Sequence, residues 1–146
     1  MKKTLLHILM HNGRLLQRAV DAELAPLGLH HGQGRILTTI AACGEITQAD
    51  LARQMDIKPS TVTNMLKPLE EKKLIRRKID PNTHRAQVVS LTPAGELVCK
   101  KVLAAWDRIE VHIIQTIPEA ERNELFQRVE NIRKVLGGKG PEEENS

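Results

Sequence analysis

The chain has 146 residues, 40% of them hydrophobic, which suits one domain with an appended helical part. Aromatic side chains are limited to Trp106 and Phe126, so base stacking on aromatic platforms, the device of single-strand and RNA readers, is excluded as the main recognition mode. A net charge of +4 permits a nucleic-acid partner without requiring one, and the isolated Cys43 and Cys99 exclude a disulfide framework and suggest a reducing setting.

Lys3 to Leu27 predict a long amphipathic helix, with Leu5, Leu9, Leu16, Ala19, Val20, Leu24 and Leu27 at helical spacing. Gly13 is its weak point, and Pro26 and Gly28 mark its end. A stripe this long needs a partner, elsewhere in the chain or in a second copy. His7, His11, Asn12 and Arg14 interrupt the apolar run from Met1 to Arg18, so no signal peptide is expected. No apolar stretch approaches the roughly 20 residues that span a bilayer. A cytoplasmic protein with no membrane partner is the expectation. A second helix runs from His31 to Ala42 with Ile36, Leu37 and Ile40 inward, and Gly44 suits a left-handed cap. Ile46 reads as a short strand residue.

Thr47 to Leu74 is the organising stretch, two short helices with a turn between them. Thr47 caps the first, with Asp50 three residues on. Leu51, Ala52 and Met55 share its buried face, as Val62, Leu66 and Leu69 do on the second. Ala52 is small where helices cross closely, Ile57 plugs the turn, and Pro59 opens the second helix, where a missing N–H costs nothing. Pro68 lies late in that helix and removes a hydrogen bond to the Asn64 carbonyl, so a bend is expected beyond the first turns. Ser60, Thr61, Thr63, Asn64 and Lys67 remain on the outer face. Short donors and acceptors with one cation suit base edges and phosphates in a major groove. The bland alternative is a solvated helix face.

After Leu74 the period changes. Leu74 to Ile79 and Ala86 to Leu91 predict two strands, Val89 and Leu91 alternating, around the turn-forming Asp80-Pro81-Asn82-Thr83-His84-Arg85. Arg76, Arg77 and Lys78 make the first strand cationic, and His84 and Arg85 sit at the tip. A hairpin directly after a helix-turn-helix is a wing, whose tip reaches phosphates or the minor groove. Thr92 caps the next helix and Pro93 takes its first position; Leu97, Val98, Val102, Ala105, Trp106, Ile109, Ile113 and Ile117 carry its stripe. Pro118 begins the last helix, with Leu125, Phe126, Val129, Ile132, Val135 and Leu136 inward and Gly137-Gly138 as its stop.

The predicted fold class is mainly α with a small β-hairpin: a winged helix-turn-helix over 29–92, a helical dimerisation region from 1–28 and 93–137, and a disordered tail over 138–146. A two-fold dimer presents two recognition helices to successive major grooves, so a pseudo-palindromic site in double-stranded DNA is expected.

These residues resemble the multiple antibiotic resistance regulator (MarR) family over nearly the whole chain, from about Lys3 to Leu136. The resemblance is carried by Gln48-Ala49-Asp50-Leu51-Ala52, Pro59-Ser60-Thr61-Val62-Thr63, Leu69-Glu70 with Leu74-Ile75-Arg76-Arg77, and Leu91-Thr92-Pro93-Ala94-Gly95, in this order and spacing. It implies a homodimeric winged helix-turn-helix transcription factor, usually a repressor, released by a small-molecule or oxidant signal. Two positions depart from the family pattern. Thr83-His84-Arg85 stands where the wing commonly carries Asp-Arg-Arg, and Lys73 replaces a Gly before Leu74, an awkward residue if the backbone there is left-handed.

The expected DNA-binding residues are therefore Ser60, Thr61, Thr63, Asn64, Lys67, Arg76, Arg77, His84 and Arg85. No catalytic residue, metal ligand or cofactor is assigned: the six histidines form no His-Glu-x-x-His, and Gly32-Gln33-Gly34 is no dinucleotide fingerprint. Two alternatives stand beside this reading. One is a zinc-responsive regulator of the same fold, using His30, His31, Glu110 and His112. The other is a winged-helix module that binds protein. Cys43 and Cys99 read as structural thiols, since neither neighbourhood is clearly electropositive.

Overall fold

A computed structural model describes residues 2–138; the tail predicted to be disordered lies outside them except for Gly138. The chain divides into two compact units, Met1–Asp107 and Arg108–Ser146.

In the first unit, α1 (Leu5–Leu24) starts at Thr4, whose hydroxyl accepts the His7 N–H. It ends in a single 3-10 turn, Ala25–Leu27, rather than running as α-helix to Leu27, because Pro26 cannot donate and Gly28 takes φ 69°. Helix α2 (His31–Cys43) is followed by Gly44 at φ 76°, then by β1 (Glu45–Thr47), α3 (Gln48–Met55) and α4 (Pro59–Glu71). Strands β2 (Ile75–Ile79) and β3 (Gln87–Leu91) form the hairpin, and α5 (Pro93–Ile114) begins in this unit and ends in the second. The sheet order is β1-β3-β2, all antiparallel, with Val89 opposite both Ile46 and Arg77.

The core is aliphatic. Leu24, Ile36, Leu37, Ile40, Leu51, Val62, Leu66, Leu69, Val89 and Val102 are fully buried. Each such side chain stabilises by about 1.5–3 kcal/mol relative to exposure, so helices α2, α3 and α4 are fixed by packing rather than by their own short length. Two features depart from the pattern reading. Val88 and Val89 are both buried although successive residues of a strand point to opposite faces, while Leu91 is only half-buried. Leu97, assigned to the apolar stripe of α5, is 62% exposed.

Gly95 explains part of the motif after the wing. A Cβ there would lie 1.9 Å from the Leu74 carbonyl oxygen, which also accepts the Thr92 N–H. Only hydrogen fits, so the start of α5 lies directly against the start of β2.

In the second unit, α6 (Glu119–Val135) follows Pro118, with Glu119 and Glu121 at its positive end and Arg133 and Lys134 at the other. It contains no buried residue. Leu125, Phe126, Val129, Val135 and Leu136, predicted to face inward, are exposed. The expected stripe exists, but within this chain it stays at the surface.

Candidate nucleic-acid interface

The paired helices are built as their sequence requires. The Thr47 hydroxyl accepts the Asp50 N–H at 3.1 Å and donates to the Asp50 carboxylate at 2.8 Å. Asp56 closes α3 in a left-handed conformation, φ 52°, and the half-buried Ile57 donates its N–H to Ala52 O. Lys58 is extended and its carbonyl accepts from Thr61 and Val62, so Pro59 begins α4 without losing a bond. Pro68 lies inside α4, which continues past it to Glu71.

One face of α4 is sealed by Val62, Leu66 and Leu69, and the opposite face carries Ser60, Thr61, Thr63, Asn64 and Lys67, all exposed. Thr63 is the one among these five that is already engaged: its hydroxyl donates to Pro59 O at 3.1 Å and accepts from the Gln48 amide at 3.4 Å. Ser60, Thr61, Asn64 and Lys67 have no side-chain partner among the described residues.

The hairpin is an ordered element. The Asp80 N–H donates to the Ala86 carbonyl at 2.7 Å, the Asp80 carbonyl accepts the His84 N–H at 2.9 Å, and its carboxylate accepts the Asn82 N–H at 2.9 Å. The Thr83 hydroxyl accepts from Ala86 N–H at 3.3 Å. Asp80 and Thr83 thus organise the tip at which the family's Asp is missing. His84 is exposed at φ 54°, and Arg85 is exposed beside it.

The cations divide into two groups. Lys58, Lys67, Arg76 and Arg85 are exposed, with no counter-ion among the described residues. Others are spent internally: Arg53 on Asp50, Arg77 on Glu70, Lys78 on Glu45 at 2.8 Å, and Lys72 on the Gly28 carbonyl. Sequence reasoning missed Lys58, although a cation directly before a helix-opening proline was a signal for it. It also missed Gln48, the first residue of α3, as a support for Thr63.

The comparisons with known proteins agree on the family. A model of the MarR family matches residues 29–86, which hold α2, the helix pair and most of the wing. The chain is 31% identical over 94 residues to the HTH-type transcriptional repressor MdtR of Bacillus subtilis, covering 64% of this chain and 61% of that protein. It is 32% identical over 84 residues to the multiple antibiotic resistance protein MarR of Salmonella typhimurium, covering 58% of each. The chain therefore spans about three fifths of the length of these curated relatives. Its fold is similar to that of Staphylococcus aureus MepR in a crystal structure with DNA, with TM-score 0.85, 24% identity, and coverage of 92% of this chain and 99% of that one.

Over residues 29–86 the chain is similar to the MarR family.

The names of its relatives are those of transcription regulators, a non-enzymatic role, in keeping with the absence of a catalytic motif from the sequence. No helix among the described residues is long and apolar enough to cross a membrane.

Two of the histidines weighed as metal ligands, His30 and His31, have other tasks. His30 Nδ1 accepts the N–H groups of Gly32 and Gln33 at 3.1 and 3.4 Å, while Gln33 Oε1 accepts the His30 N–H at 3.3 Å, a capping box for α2. Burial, and then the neighbouring His31, lower the His30 pKa from its ordinary 6.5. The Asp21 carboxylate accepts the His31 N–H at 2.6 Å and meets its Nδ1 at 2.9 Å, and the backbone bond above all holds Asp21 below the usual carboxylate value. Among the described residues no three His, Cys, Asp or Glu side chains gather as a metal site. Cys99 is buried, which raises its thiol pKa and disfavours the reactive thiolate, whereas Cys43 is exposed.

Proposed function

We propose that this chain is a homodimeric, sequence-specific reader of double-stranded DNA that acts in the cytoplasm as a transcriptional repressor released by a small-molecule signal. The observation that carries the reading is the outer face of α4: four exposed polar or cationic side chains, with no partner among the described residues, along a helix whose opposite face is fully buried. Ser60, Thr61, Asn64 and Lys67 are the groove-facing set, Thr63 offers its remaining acceptor capacity and methyl group, and Arg76, His84 and Arg85 serve the backbone and the minor groove. A match to the MarR family model over residues 29–86, a relative named as a repressor and a structural neighbour solved with DNA support the same reading.

The dimer is supported by apolar surface in each unit. Leu5, Leu6, Ile8, Met10, Leu15 and Leu16 are exposed on α1, and Leu125, Phe126 and Val129 on α6. Residues 1–28 and 93–137 supply the dimerisation region, and 29–92 supply the reader. Release requires an effector with unequal affinity for two spacings of the recognition helices, because a ligand that binds both equally shifts nothing. Operator affinity measured with and without candidate small molecules tests the switch.

DNA binding itself is tested by fluorescence anisotropy on labelled duplexes over a salt series. Arg76→Gln and Arg85→Gln should each weaken binding to all sequences and reduce the slope of log K against log salt by about 0.9. Asn64→Ala should instead change preference at one base pair, by about 1–3 kcal/mol. Absence of binding to any duplex at low salt would overturn the reading.

A further inference from the structure

The cationic run Arg76-Arg77-Lys78 lies on a strand, so its members alternate between faces. Arg76 and Lys78 are exposed, whereas Arg77 points the other way and its side chain is only 24% exposed. There its guanidinium meets the carboxylate of Glu70, in the last turn of α4. The two partners flank the corner at which recognition helix becomes wing. That corner is fixed from both sides. Lys73 takes φ 59° and donates its N–H to Glu70 O at 2.9 Å, and Leu74 donates to Leu69 O at 3.0 Å. Arg77 is registered opposite the fully buried Val89. On the exposed side, Lys78 reaches Glu45 of β1.

We propose that Arg77 is a positioning residue rather than a phosphate contact: clamped by Glu70 across the left-handed corner, it sets the angle at which the wing leaves the recognition helix. Arg76, on the opposite face, is the cation this strand offers to a phosphate. This rests on the DNA-binding reading above, and it assigns a different task to one residue of the expected contact set. The charge argument gives the two roles opposite signs. Glu70 places a negative charge near a polyanion, so if Arg77 served a phosphate, neutralising Glu70 would release Arg77 and tighten binding. If Arg77 positions the wing, neutralising Glu70 weakens binding although it removes a repulsive charge.

The test uses the full chain and a duplex that the wild-type protein selects from a random pool. Glu70→Gln, Arg77→Gln and the double variant are compared over a salt series in a double-mutant cycle. The clamp predicts that each single change weakens binding several-fold, that the double is no weaker than Arg77→Gln alone, and that the salt slope stays at the wild-type value. Unchanged or tighter binding by Glu70→Gln overturns it, as does a slope reduced by about one in Arg77→Gln. Amide exchange in the free protein provides an arm that needs no DNA. Both single changes should speed exchange of the β2–β3 hairpin amides and leave the Leu66 amide at its wild-type rate. If the wild-type chain selects no duplex, the DNA-binding reading fails, and unchanged hairpin exchange would separately overturn the clamp.

Discussion

Helices α4 and α6 are written in the same amphipathic pattern and end differently. In α4 the stripe of Val62, Leu66 and Leu69 is completely buried, whereas α6 buries nothing and leaves Phe126 66% exposed. Periodicity reports that a face needs covering, and it does not report what covers it. For α4 the cover lies within its own unit, from α2, α3 and the sheet, which leaves the polar face free to read a partner. For α6 the apolar face is itself the free one.

The comparison predicts a sharp asymmetry between two truncations. Leu66→Ala should lower the unfolding free energy by about 2–5 kcal/mol, the cost of a cavity in a packed core. Phe126→Ala should leave the stability of the isolated protomer nearly unchanged, within about 0.5 kcal/mol, while weakening self-association. Urea unfolding and sedimentation measure the two effects. Equal loss of stability in both variants would break the distinction between an inward and an outward stripe.

A smaller effect is expected at the corner that joins α4 to the wing. Lys73 holds a left-handed conformation that costs a side-chain-bearing residue about 1–2 kcal/mol. Lys73→Gly should therefore raise thermal stability, less the entropy that glycine adds to the unfolded chain. A lower melting temperature in Lys73→Gly would show that the Lys73 side chain contributes more than its backbone costs.

The smallest expected effect concerns the cap of α2. His30 accepts two backbone N–H groups through Nδ1, which protonation would abolish, and its folded pKa is depressed. Below its ordinary 6.5 the unfolded chain therefore binds more protons at this site than the folded chain, and stability falls as pH decreases from there. Asp21 behaves as a depressed carboxylate does: its contribution is present above 3.8 and lost as pH falls through the lower folded value. His30→Asn keeps a cap acceptor and should flatten the first of these slopes in denaturant melts across pH. A slope that survives in this variant would place the titration elsewhere.

Much of the fold was legible because its signals are local. Pro59, Thr47, Thr92 and Gly28 mark element ends by their own chemistry, and the helix pair, hairpin and flanking helices lie where the patterns placed them. What could not be read was long-range. The sheet order, in which β1 pairs with β3, could not be read, because three residues at Glu45–Thr47 gave little warning of a third strand. The exposure of the outer face of α4 was legible; that the Thr63 hydroxyl is engaged by Gln48 and Pro59 was not, because the partners come from a neighbouring helix and a main-chain carbonyl. The division between Arg76 and Arg77 was available from strand alternation alone, although which face meets Glu70 required the structure.

The central claim is that paired copies of α4 read a duplex, and selection of bound sequences from a random duplex pool tests it most directly. The enriched sequences should form a pseudo-palindrome whose half-sites are centred about 10–10.5 base pairs apart or a multiple of that. A pool that remains random after selection at low salt, with the protein folded, would contradict it.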